Sequence, residues 1–127
     1  MNKILIVDDQ LGWRNFNTQA VYEVLGDTTE IKTASSAQEG YSLLLENAAE
    51  PFNCIITDMQ MEDDYAPKMA GEWLIEQAKS MSVYERTNII IVSAAPFIEH
   101  IAERLDVNYI RKQDAIVSKD LYNQLIK

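Results

Sequence analysis

The chain has 127 residues, 47% hydrophobic and 24% charged, the balance of one globular domain able to bury roughly two-thirds of its unfolded surface without disulfides or structural metal. A net charge of −9 disfavours direct binding to nucleic acid or anionic lipid, and one cysteine, Cys54, with one histidine, His100, cannot build a Cys/His zinc site. No apolar run reaches the length of a membrane span, and the run after Met1-Asn2-Lys3 is too short for a signal peptide, so a soluble domain of the reducing cytoplasm is expected.

Ile4-Leu5-Ile6-Val7 reads as the first strand, followed by a helix with the apolar stripe Phe16, Ala20, Val24 and Leu25. Ile31 to Ala34 is a shorter second strand. Ser36 with Glu39 fits a capping box and opens a second helix with the stripe Tyr41, Leu44, Leu45 and Ala48. Cys54-Ile55-Ile56-Thr57 is the third strand, and Trp73 or Leu74, Ala78 and Met81 mark a third helix. Ile89-Ile90-Ile91-Val92 is the fourth strand. Pro96 suits the first turn of a fourth helix carrying Ile98, Ile101, Ala102 and Leu105. Asn108 to Arg111 is the fifth strand. In the last stretch, from Asp114 to Lys127, Ser118 is a candidate cap for a short helix carrying Leu121, Tyr122, Leu125 and Ile126.

Unbroken β-branched runs are typical of strands covered on both faces. Five of them alternating with five helices imply right-handed βαβ crossovers and a doubly wound α/β fold. In such a fold ligands bind beyond the carboxyl ends of the strands. There the sequence places Asp8-Asp9 after strand one, Asp58 after strand three, the hydroxyl of Ser93 at the end of strand four and the ammonium of Lys112 after strand five. Adjacent carboxylates repel unless a cation joins them or their pKa values rise. Mg²⁺, which takes a few hard oxygen ligands and completes its shell with water or phosphate, is the natural occupant. Acidic cluster, metal, lysine and hydroxyl are together the parts for phosphoryl transfer. The plainer alternative makes the three aspartates turn and cap residues only.

The four segments Ile4-Leu5-Ile6-Val7-Asp8-Asp9, Ile55-Ile56-Thr57-Asp58-Met59-Gln60-Met61, Ile91-Val92-Ser93-Ala94 and Tyr109-Ile110-Arg111-Lys112 together resemble the receiver domain of two-component response regulators, over the whole chain. That resemblance implies a single receiver domain over 1–127, of the chemotaxis-regulator type, with a flavodoxin-like strand order 2-1-3-4-5. It implies that Asp58 accepts a phosphoryl group from a histidine kinase or histidine phosphotransfer protein. Asp9, Asp58 and the backbone carbonyl of Gln60 would ligate Mg²⁺, with Asp8 acting through water. Lys112 would pair with the phosphoryl oxygens, Ser93 would move to bond them, and Tyr109 would turn inward as the aromatic switch. The face of the fourth helix, fifth strand and fifth helix would then act on a downstream protein or effector domain, or form a homodimer. Such a domain is mainly a switch, although it assists its own phosphorylation and dephosphorylation.

Three departures from the family pattern stand out. Gly71 comes thirteen positions after Asp58, several more than is usual, Glu62 stands where proline is common, and Glu62-Asp63-Asp64-Tyr65 reads as a solvated polar segment in preference to acids that tune metal affinity, phosphoryl lifetime or partner choice. Gln113 follows Lys112 where the family usually has proline, so a trans peptide and a different local turn are expected. Leu105-Asp106-Val107-Asn108 lacks the glycine that often ends the fourth helix, a place Asp or Asn can fill. Two other functions are compatible with parts of this pattern. One is a degenerate receiver that binds a partner without phosphorylation. The other is a Mg²⁺-dependent haloacid-dehalogenase-like phosphohydrolase, whose Asp-x-Asp pattern the adjacent Asp8-Asp9 does not match. His100 and Cys54 read as a surface and a core residue, and Trp13 and Arg14 as residues near the site that either shape docking or pack.

Overall fold

A computed structural model describes residues 2–61 and 69–126. The five apolar runs form β1 (Lys3–Val7), β2 (Glu30–Ala34), β3 (Cys54–Thr57), β4 (Asn88–Ser93) and β5 (Asn108–Arg111). They make one parallel sheet in the order β2-β1-β3-β4-β5. The expected doubly wound, flavodoxin-like architecture is therefore present.

Alternation along the strands sends side chains to two cores. Leu5, Val7, Ile55 and Ile91 face α2 (Ala37–Glu46), α3 (Ala70–Lys79) and α4 (Ile98–Leu105). Ile4, Ile6, Ile56, Ile90 and Val92 face α1 (Leu11–Leu25), α5 (Lys112–Val117) and α6 (Asp120–Ile126). Both faces of β1, β3 and β4 are thus dry, which is why these strands read as unbroken apolar runs.

Local signals account for the helix ends. Ser36 Oγ accepts from the Glu39 N–H at 3.1 Å, and the Glu39 carboxylate accepts from the Ser35 N–H at 2.7 Å, one residue before the expected partner. Asp106 takes the left-handed conformation, with φ 57°, and ends α4 as a glycine would.

Three helix expectations are corrected. Pro96 lies in a turn before α4 and not within it, because Phe97 adopts φ 62° and the helix starts at the fully buried Ile98. The C-terminal stretch forms two helices, which makes six α-helices among the described residues. Gln113 continues directly from Lys112 into α5, and Ser118, extended at φ −143°, closes that helix and does not cap the next. Leu45, placed in the buried stripe of α2, is exposed; Ala37, Gly40 and Leu44 are the buried residues there.

Candidate functional site

The ladder continues one residue past two strands and fixes two carboxylates. The Asp8 N–H donates to Ala34 O at 3.1 Å, and the Asp58 N–H donates to Val7 O at 2.9 Å. Asp8 Oδ1 accepts from the Gln10 N–H at 2.9 Å in a turn that leads into α1, and Arg14 Nη1 donates to Asp8 O at 2.8 Å. The Asp9 carboxylate, half-buried, comes up beside them. One ligand oxygen from each of Asp8, Asp9 and Asp58 lies within 4.8 Å of the others.

Lys112, the first residue of α5, reaches across from β5. Its Nζ is 3.0 Å from Asp58 Oδ2, to which it donates, and 3.0 Å from Asp8 Oδ2. The second contact is an ion pair without hydrogen-bond alignment, so the buried Asp8 Oδ2 has no hydrogen-bond partner among the described residues. Burial raises the pKa of Asp8 above the ordinary carboxylate value, and the Asp58 charge adds to it. The Gln10 N–H and Lys112 oppose the rise.

Above the acids a cleft of about 630 Å³ opens, with Asp9, Asp58, Gln60, Ser93 and Lys112 among its lining residues and Trp13, Met61 and Ile116 as apolar wall. Ser93 is buried, and its Oγ accepts the Ala95 N–H at 3.1 Å, which leaves its own O–H available to another acceptor. Tyr109 stands apart from the cleft: it is 36% exposed, with its ring 5.7 Å from the Arg111 guanidinium. His100 is exposed on α4 beside Phe97. Glu62, Asp63, Asp64 and Tyr65 lie outside the described residues.

A divalent cation fits this donor set. Three carboxylates within 4.8 Å of one another are hard oxygen ligands, and one of their oxygens is buried with its hydrogen-bonding capacity unused. Lys112 already offsets part of the local negative charge.

Two contributors were not legible as such in the sequence. The indole of Trp13 lies 4.9 Å from Lys112 Nζ, a contact whose sequence signal is only its place in the first turn of α1 after Asp9. Gly71, near the start of α3, packs on the Asp58 backbone. A Cβ there would stand 2.0 Å from Asp58 O, and the Gly71 N–H donates to Met59 O at 3.0 Å.

The fold has counterparts among solved structures. The phosphorylated cyanobacterial phytochrome response regulator RcpA superposes with a TM-score of 0.78 at 18% identity, over 99% of this chain and 94% of that one. The signal receiver domain of a DNA-binding response regulator (merR) from Colwellia psychrerythraea 34H gives 0.76 at 18% identity, over 99% and 98%. The chemotaxis protein CheY4 of Vibrio cholerae gives 0.72 at 18% identity, over 98% of each chain. The chain has the receiver-domain fold. No protein-family model and no curated protein matches the sequence, so at these identities the fold is what is shared. In this receiver fold the acidic cluster lies at the carboxyl ends of β1 and β3. Among the described residues, no helix is long and apolar enough to cross a membrane.

Proposed function

We propose that residues 1–127 act as one receiver domain that takes a phosphoryl group on Asp58 and signals through a protein partner. The observation that carries this reading is the setting of Asp58: its carboxylate lines an open cleft, is held by Lys112 at 3.0 Å, and shares that cleft with Asp9 and Ser93. A carboxylate oxygen of Asp58 attacks phosphorus and the P–N bond of a phosphohistidine breaks. Its electron pair stays on the imidazole nitrogen, which takes up a proton, and an acyl phosphate forms on Asp58.

Asp9, Asp58 and the Gln60 carbonyl would hold Mg²⁺, with Asp8 acting through water; when bound, the ion neutralises charge on the transferring phosphoryl group. Lys112 is placed to follow the phosphoryl oxygens from its present partner on the same side chain. The Ser93 O–H is free to donate to them. A phosphoryl group adds about −1.5 to −2 charges, and it favours the state in which Ser93 and Lys112 both bond it. Tyr109, now at the surface, would turn inward as Ser93 moves. The donor is a histidine kinase or histidine phosphotransfer protein, and the output surface is α4, β5 and α5, where Phe97, Ile116 and Val117 are exposed.

Intact-mass measurement after incubation with Mg²⁺ and acetyl phosphate tests this reading. A labile gain of one phosphoryl group, dependent on Mg²⁺ and missing in Asp58→Asn, is expected. The reading fails if neither acetyl phosphate nor phosphorylated phosphotransfer proteins label the chain, or if Asp58→Asn labels equally.

A further inference from the structure

Lys112 has a long, flexible side chain, and holding it in one rotamer carries an entropic cost. Its contacts with Asp8 and Asp58 do not fix it alone, since the Asp8 contact lacks hydrogen-bond alignment. The backbone adds no ring constraint either: Gln113 follows, and α5 begins at Lys112 itself.

Trp13 supplies a third surface. Its ring centroid lies 4.9 Å from Nζ, within the range in which the negative face of an indole attracts an ammonium. The ring has aromatic neighbours of its own. Phe16 stands 4.9 Å from it at 54°, and Tyr122 stands 6.2 Å from Phe16 at 50°. Tyr122 is itself fully buried and bonded to Asn17. The aromatic series runs from the cleft to α6, so the indole is a firm wall.

We infer that Trp13 is a positioning residue for Lys112, an inference that rests on the reading of Asp58 as phosphoacceptor. An indole face holds the cation without offering it an oxygen. The N–H groups of Lys112 therefore stay directed at Asp58, and later at the phosphoryl oxygens it carries. Side chains of similar volume but without a π face fill the space and leave the ammonium unguided.

The test compares Trp13→Leu and Trp13→Phe with the wild type, each with Lys112 intact and as Lys112→Met. In unphosphorylated protein, the Lys112 ε-CH₂ protons are expected upfield by ring current, a shift lost in Trp13→Leu and partly kept in Trp13→Phe. Labelling by acetyl phosphate is expected to slow roughly fivefold in Trp13→Leu and to recover in Trp13→Phe, which also guards against a folding defect. With Lys112→Met, Trp13→Leu slows labelling no further. Unchanged ε-proton shifts in Trp13→Leu, or equal slowing with and without Lys112, overturns the inference. If the wild type takes no phosphoryl group at all, the Asp58 reading fails, and the ring-current comparison still decides whether Trp13 seats Lys112.

Discussion

The Tyr122 phenol donates to Asn17 Oδ1 across 2.5 Å between α6 and α1, with both residues out of solvent. This bond ties the last helix to the helix that carries Trp13. Tyr122→Phe removes the donor and leaves a buried amide oxygen unpaired, a loss of about 1–3 kcal/mol. Urea unfolding is the measurement, and the double variant Asn17→Leu/Tyr122→Phe should recover part of the loss. Equal loss in the single and double variants would show that the bond is not the cause.

Gly71→Ala inserts a methyl group against the Asp58 backbone, which cannot swing aside as a flexible side chain could. A cost of about 1–3 kcal/mol is expected from such overpacking, together with slower labelling of Asp58. Gly12→Ala is the control. Its added Cβ meets nothing within 4 Å, and in α1 alanine is favoured over glycine by up to about 1 kcal/mol. Comparable melting curves for the two variants would rule out the contact as a constraint on the site.

Asp8 departs from the usual structural carboxylate. Its folded pKa is raised, first by burial, so the folded chain binds the proton more tightly than the unfolded chain. The associated stability is full below the ordinary value of 3.8 and is lost as pH rises through the folded value. Asp8→Asn keeps the acceptor for Gln10 and removes the ionisation. It should raise the urea midpoint at pH 7, with the advantage over the wild type shrinking as pH falls towards 3.8. A lower midpoint at pH 7 refutes this account.

Cys54 opens β3 between two helical layers, and burial pushes its thiol up to about 12. Thiolate is the reactive form, so iodoacetamide at pH 8 should leave the folded protein unmodified. Labelling should appear with the unfolding transition in urea. Rapid labelling without urea is the contrary result.

Much of this architecture was legible because strand and cap signals are local. The runs at Ile4, Cys54 and Ile89 sit in central strands with both faces covered, and Ser36 with Glu39 needs only four residues to make its cap. Asp8, Asp9, Asp58, Ser93 and Lys112 could be gathered because parallel topology sends every strand end to one edge. Other features depend on distant partners. The division of the last stretch into α5 and α6 follows from how Ala115 and Tyr122 both reach the core. Trp13 meets Lys112, and Gly71 meets Asp58, only once α1, α3 and α5 are packed. Phe97 shows the limit on local rules, since a residue with that side chain gives no sign of a left-handed backbone.

The Gly71 N–H on Met59 O also bears on how the end of β3 is held. Met61 is buried where the chain leaves the end of β3, and α3 returns it to the same spot. The junction of β3 with α3 is therefore set at Met59 and Gly71, which the sheet and the helix each hold in place. The Asp58 backbone is walled on that side by main chain, so its carboxylate is aimed by atoms that no side-chain rotation can displace.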